Sequence, residues 1–305
     1  MNVLVTGGAG FIGSHLVEGL VEQGHQVTVL DDLSTGRLEN LAAVRSAVRF
    51  VKGSVTEYTD VWSAMRGCEL VYHEAAIASV PRSVENPRQS HAVNVGGTVN
   101  VLEAARRLAV RRVVFAGSAA IYGNREGAVV EHDAPAPQSP YAIEKLASEH
   151  YLQVWPQLYG VETVTLRYFN VFGPRQDPSS PYSGVVSIFA ERLKKGLPVT
   201  LYGDGAQTRD FVAVADVVEA NLRAGTVAGV SGQAFNVARG AATSINDLYA
   251  ALARPFGAPA PVYAEARAGD VRHSRADVSK AADLLGFRAK LTVSEGLERL
   301  LAWLG

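Results

Sequence analysis

The chain has almost no cysteine. Cys68 stands alone among 305 residues, so no intrachain disulfide can form, and a single thiol of this kind reads as a small buried residue rather than a nucleophile. It has no excess of charge of either sign: 29 Lys and Arg face 30 Asp and Glu, which gives no support for the basic footprint of a nucleic-acid binder. It also lacks a long apolar run, an extended linker and any low-complexity tract. Met1 leads straight into a strand-like apolar run, which with the lone thiol gives the expectation of a cytoplasmic protein. No nucleic acid, membrane or metal is expected as a partner. What is present is 48% hydrophobic residues, enough at this length for two domains or for one large domain carrying a lobe.

Glycines mark the first motif. Val3-Leu4-Val5 is a short run with β-branched residues and Phe11 to Val21 has helical spacing, so Gly7, Gly8, Gly10 and Gly13 fall on a strand-to-helix turn. Glycine there lets the backbone turn tightly and approach a pyrophosphate, whose charge is met by the free N–H groups of the helix N-terminus. Such a turn can also serve packing alone. Here a second strand-like run, Gln26 to Leu30, ends in Asp31, 18 residues after Gly13. A carboxylate at that place hydrogen-bonds both ribose hydroxyls of NAD and repels the extra phosphate of NADP. The pair of signals points to NAD, with Arg37 the residue able to reach a phosphate instead.

Strand-like runs recur at Val48 to Lys52, Leu70 to His73, Val113 to Ala116 and Val161 to Arg167, with helical stretches between them. That is the βαβ rhythm of an α/β fold, a Rossmann-type doubly wound parallel sheet. From Asn170 onward Gly- and Pro-rich loops break the rhythm and predict a smaller C-terminal α/β lobe. The expected division is 1–168 for the dinucleotide-binding domain and 169–305 for the lobe, part of 210–232 returning to the first domain. A ligand cleft is expected between them at the strand ends.

Tyr141 and Lys145 open a helical stretch, Tyr141 to Tyr159, entered through Pro140, and a spacing of four puts both on one face. A tyrosine of ordinary pKa is a poor base; a neighbouring ammonium and a positive nicotinamide both favour its phenolate. Lysine there can also bind the nicotinamide ribose. Before the pair, the run Val113 to Ala116 leads into Gly117 and Ser118, which places a hydroxyl beyond a strand's carboxyl end. Ser118 can share the substrate oxygen with Tyr141, or it can cap a turn. Asp216 reads as a helix N-cap, and Arg192 and Arg223 as solvent-facing.

With these motifs the chain resembles the extended short-chain dehydrogenase/reductases, and among them the UDP-hexose 4-epimerases. The resemblance runs from Met1 to about Gly296 through Gly7-Gly-Ala-Gly-Phe-Ile-Gly13, Asp31-Asp-Leu-Ser-Thr-Gly36, His73-Glu-Ala-Ala76, Ser139-Pro-Tyr-Ala142, Leu166-Arg-Tyr-Phe-Asn-Val-Phe-Gly173, Gly203-Asp-Gly205, Arg209-Asp-Phe211 and Gly269-Asp-Val-Arg-His273. It implies bound NAD near Gly7, Gly10, Phe11, Ile12, Gly13, Asp31, Ser54, Val55, Ala75, Ala76, Asn94, Tyr141, Lys145 and Tyr168. It places Ser118, Asn170, Arg209, Arg267 and Asp270 near the nucleotide-sugar. The loop holding Ser79 and Ser83 resembles epimerases that accept N-acetylated sugars, and Ser274, four after Asp270, falls where a small residue leaves room for an N-acetyl group. It also implies a homodimer through Pro87 to Leu108 and Tyr141 to Tyr159, since Val93, Val101 and Leu108 need a cover.

Related families decide the reaction by the residues after Ser118. Dehydratases and decarboxylases resembling this chain carry acids there, whereas this chain has Ala119 and Ala120, and two methyl groups cannot move protons. Reversible 4-epimerisation of a UDP-hexose through a 4-keto sugar, catalysed by Tyr141, Lys145 and Ser118, is the expected activity. The alternatives are a UDP-glucuronate 4-epimerase, a dehydratase or decarboxylase, an enzyme releasing an oxidised or reduced sugar nucleotide, and an NAD-sensing regulator. The sensor has no use for an ordered acid–base set. Two departures stand out: Ser54 replaces an aspartate common beside adenine, and Glu144 precedes Lys145 where serine is more usual. Glu144 is expected to point away from the catalytic face, without catalytic meaning.

Overall fold

A computed structural model describes residues 1–125, 127–178, 184–266 and 271–305. The first half runs β1 (Asn2–Thr6), α1 (Phe11–Glu22), β2 (Gln26–Asp31), β3 (Val48–Lys52), α2 (Tyr58–Met65), β4 (Leu70–His73), α3 (Val80–Glu85), α4 (Pro87–His91) and α5 (Gly97–Arg107). Then follow β5 (Arg112–Ser118), β6 (Ala128–Val129), α6 (Pro140–Tyr159), β7 (Glu162–Tyr168), β8 (Asn170–Phe172), α7 (Val185–Lys194), β9 (Thr200–Tyr202) and β10 (Thr208–Ala213). The rest comprises α8 (Val214–Thr226), β11 (Gln233–Val237), β12 (Ala242–Ser244), α9 (Ile245–Ala253), β13 (Val262–Ala264), β14 (Arg275–Ala276), α10 (Ser279–Leu284) and α11 (Val293–Leu304).

Seven parallel strands form the main sheet in the order β11-β7-β5-β4-β1-β2-β3. Parallel strands are covered on both faces, which is why β4 and most of β5 read as unbroken buried runs rather than alternating ones. One face packs Leu16, Val17 and Leu20 of α1 with Val217, Ala220 and Ala224 of α8; the other packs α2, α5 and Trp155 of α6. The strand order reverses beside β1 and β4, the switch point where such sheets take ligands. The expected doubly wound sheet is what the chain folds into.

After β10 the chain rejoins the main sheet. α8 lies against α1, β11 completes the sheet beside β7, and α10 packs on β11. A smaller lobe gathers Phe189, Phe211, Tyr249 and Leu297 from α7, β10, α9 and α11 around its own core. Its sheets are short: β12-β10-β8, β13-β9, and β14-β6, the last tying the lobe to the loop after β5.

Two local expectations are corrected. Asp216 is not an N-cap: α8 starts after Ala213, and the buried Asp216 carboxylate accepts the N–H groups of Lys290 and Leu291 at 2.9 and 3.1 Å. The stretch from Pro87 to Leu108 is α4, a π-helical turn over Ala92–Gly96, and α5. Val101 on it is fully buried, and Val93 and Leu108 pack on the core behind it, so none of the three needs a second chain to cover it. Among the large apolar side chains left exposed, a group lies on α6 and α3: Ile143, Tyr151, Val154 and Leu158, with Val80 and Val84. Arg192 and Arg223 are surface residues, Arg192 donating to the Pro198 carbonyl and Arg223 pairing with Glu219 one turn earlier.

Candidate active site

A cavity of about 520 Å³ follows the carboxyl ends of the main sheet. At one end lie Gly7, Gly10, Phe11, Ile12, Gly13, Asp31, Ser54 and Val55; at the other lie Ser118, Tyr141, Lys145, Tyr168 and Asn170, with Glu74, Ala75 and Ala76 between them.

The glycine end fits a dinucleotide. Gly7 has φ 68°, and a Cβ on Gly13 would run into the Gly7 carbonyl, so the turn needs both glycines to bring β1 against the start of α1. Asp31 ends β2 almost fully buried and accepts the N–H groups of Ala9 at 2.9 Å and Leu33 at 2.8 Å. Burial lifts its carboxyl above the ordinary range, against the pull of those two amides. Gly36 comes so near that a Cβ there would stand 2.7 Å from Asp31 Oδ1. Arg37 turns outward to an ion pair with Asp177. Ser54 hydrogen-bonds Thr56 within its own turn, whose backbone is held by the Asp60 carboxylate.

At the reacting end α6 is capped with care. Ser139 accepts the Ala142 N–H, Pro140 occupies the first helical position, and the Tyr141 N–H goes to Ser83 Oγ at 3.1 Å. Ser83, expected to face a sugar, is fully buried; its hydroxyl is spent on Tyr141 and the Val80 carbonyl. Ser79 is the N-cap of α3, outside the cavity lining. Ser118 caps the turn Ala119–Tyr122 through the Ala120 N–H, and it also lines the cavity together with Tyr141.

Lys145 donates to the Ala116 carbonyl at 2.8 Å over the ring of Phe115, and burial lowers it to about 8 against the raising charges of Glu74 and Glu144. Its ammonium lies 6.0 Å from the centre of the Tyr141 ring. The expected lowering of Tyr141 by Lys145 is not what the protein's own groups produce: burial pushes the phenol up, the Ser118 hydroxyl pulls it down and Glu144 raises it again.

Two carboxylates bear on this pair. Glu74 accepts the Tyr168 hydroxyl at 2.9 Å, and Tyr168 in turn accepts from Asn221 of α8. Burial raises Glu74 to about 7, while Tyr168 and Lys145 lower it. Its signal was a charged residue at the end of an otherwise apolar strand. Glu144 does not point away; it is buried against Ser90 and Asn94, because α4 and the π-helical turn pack on that face of α6. Asn94 accordingly lies beneath the cavity wall rather than in it.

In the second lobe Arg209 lies on β10, where its guanidinium donates to the Thr208 carbonyl, and the Ser274 N–H bonds the same carbonyl. Neither lines the cavity described above, and Arg267 and Asp270 lie outside the described residues. Among the described residues no group of three or more His, Cys, Asp or Glu converges as a metal site, and no helix is long and apolar enough to cross a membrane.

Residues 3–238 match the NAD dependent epimerase/dehydratase family. The UDP-glucose 4-epimerase of Mycolicibacterium smegmatis is 43% identical over 98% of this chain and 97% of its own length. The UDP-glucose 4-epimerase of Thermotoga maritima, solved with UDP-glucose, superposes with a TM-score of 0.95 at 40% identity, covering 100% of this chain and 98% of that one. The UDP-N-acetylglucosamine 4-epimerase of Methanobrevibacter ruminantium, 35% identical, superposes at 0.94 over 99% and 97% of the two chains.

Proposed function

The chain belongs to the NAD dependent epimerase/dehydratase family, and from that premise we propose that it interconverts the C4 epimers of a UDP-hexose, UDP-glucose and UDP-galactose foremost. The observation that carries this reading is the make-up of the reacting end. Tyr141, Ser118 and Lys145 share one stretch of wall, while the turn after Ser118 offers only the methyl groups of Ala119 and Ala120. Glu74 does reach the cavity, but its carboxylate is tied to the Tyr168 hydroxyl and its charge acts on Lys145.

NAD bound along the glycines and Asp31 supplies the two-electron acceptor for C4 and a positive ring charge that favours the Tyr141 phenolate. Tyr141 Oη takes the proton of the C4 hydroxyl and Ser118 Oγ holds the same oxygen. Lys145, fixed on the Ala116 carbonyl, keeps a positive charge next to the developing phenolate. Tyr141 Oη returns its proton to O4 when the keto sugar is reduced on its opposite face. Arg209, with Arg267 and Asp270 as expected partners, anchors the nucleotide while the pyranose turns.

A second reading, that N-acetylated UDP-hexoses are also substrates, is supported by the small Ser274 and by the likeness to the Methanobrevibacter enzyme. The protein is further proposed to be a cytoplasmic homodimer that buries the apolar face of α6 and α3, Ile143, Val154, Leu158 and Val84, against a second copy. Incubation of the purified protein with UDP-glucose, UDP-N-acetylglucosamine, UDP-glucuronate and dTDP-glucose, followed by NMR of the products, tests the reading. Epimers formed without added cofactor support it; dehydrated, decarboxylated or net-oxidised products overturn it.

A further inference from the structure

Glu144 takes no part in the mechanism above, yet it is a carboxylate only 4% exposed, three residues after Tyr141 and immediately before Lys145. Its Oε2 accepts the Ser90 hydroxyl at 2.6 Å and an Asn94 amide hydrogen at 2.7 Å, and both donors are neutral. Among the described residues Glu144 forms no ion pair, and Lys145 acts on it only as a neighbouring charge; burial of a carboxylate whose hydrogen bonds come from neutral donors is unfavourable, so packing alone does not account for it. Asn94 belongs to the π-helical turn, an irregularity that recurs at functional positions. On its other side Asn94 accepts the Ile77 N–H at 2.8 Å and donates to the Ile77 carbonyl at 3.2 Å, one residue beyond Ala76 of the cavity wall. Ser148, one turn after Glu144 on α6, donates its hydroxyl to the Asn94 carbonyl at 2.9 Å.

We infer that Glu144 is a positioning residue: through Asn94 it fixes the Ala75–Ile77 wall of the cofactor cleft to the helix that carries Tyr141 and Lys145. Wall and proton-transferring pair are then held in one register, and a loss of that register is felt at both. The kinetic half of this inference rests on the epimerase reading; the cofactor half needs no sugar.

The test uses the full chain purified with its bound nucleotide, and follows cofactor release together with kcat and KM for UDP-glucose in Glu144→Ala, Glu144→Gln and Ser148→Ala. Glu144→Ala is expected to release NAD(H) about tenfold faster and to lose about tenfold in kcat, with KM changed less than about twofold. Glu144→Gln keeps an oxygen that accepts both hydrogen bonds and should recover to within about threefold of wild type on both measures. Ser148→Ala, a small change that keeps a reading available where Glu144→Ala does not fold, should show the same pattern at about threefold. Release and kcat in Glu144→Ala within twofold of wild type overturn the inference, as does Glu144→Gln as impaired as Glu144→Ala, or Ser148→Ala unchanged. Faster release in Glu144→Ala from a protein that epimerises nothing upholds this inference and removes the epimerase reading.

Discussion

In the first lobe Asp31, Glu74, Ser118 and Tyr168 stand at the carboxyl ends of β2, β4, β5 and β7, four strands of a single parallel sheet. In the second lobe Arg209 stands on a three-stranded sheet and Ser274 beside a two-stranded one. A hydroxyl placed by a sheet packed on both faces cannot drift without disturbing its neighbours, and a proton transfer tolerates little drift. Short sheets joined by Gly- and Pro-rich loops set no comparable limit. If the chain acts as the epimerase proposed above, the difference teaches that the chemistry is fixed in one lobe while the choice of sugar, and its freedom to turn, fall to the other.

The largest effect that can break the comparison lies in the rigid lobe. Tyr141→Phe should lose about 10²- to 10⁴-fold in turnover while still binding NAD and UDP-sugar, since only the proton-carrying hydroxyl is removed. Turnover above about a third of wild type would leave the sheet-borne set without its base. Next, Asp31→Asn should weaken NAD by about ten- to a hundredfold and improve tolerance of NADP, because it removes a charge that two backbone amides orient. Equal affinities before and after, measured by titration of the two dinucleotides, would mean that β2 does not set cofactor choice.

Smaller effects probe the looser lobe. Ser274→Tyr should lower turnover of N-acetylated substrates by about tenfold by steric exclusion and spare UDP-glucose. A parallel loss on both sugars, or no N-acetylated turnover in the wild type, would separate Ser274 from selection. The smallest effect returns to the sheet. Glu74 is held at about 7, above its ordinary value of 4.5, so the folded chain keeps a proton that the unfolded chain releases. Its contribution to stability is complete below about pH 4.5 and is lost as pH rises through 7. Glu74→Gln should therefore melt higher than wild type at pH 8, by on the order of 1 kcal/mol, with the gain gone by about pH 4.5. A difference constant from pH 4.5 to 8 would show that Glu74 is solvated in the fold.

How legible the site is in the sequence follows the same division. The glycines, Asp31, Ser118, Tyr141 and Lys145 are readable because each sits at a fixed offset from a strand or helix end, and offsets survive without a structure. Glu144 is not: its angle on the helix is known from the sequence, but what lies against that face is decided by α4, 53 or more positions upstream. Ser83 fails for the same reason, since its partner is a backbone N–H at position 141. Asp216 has the composition of a cap, but its partners are amides more than 70 residues later. Val93, Val101 and Leu108 carry an apolar pattern that says they are covered without saying whether this chain or a second one covers them.

The seventh strand of the sheet has a bearing on the order of synthesis. β11 reaches β7 only after Val237 has left the ribosome, so during translation β7 is the outermost strand of a growing sheet, with its outer row of amides and carbonyls unpaired. Its sequence suits that interval: Thr163, Thr165 and Arg167 alternate with Val164, Leu166 and Tyr168, and the Arg167 charge, later buried in an ion pair with Glu149, discourages a neighbouring nascent chain from adding itself in place of β11.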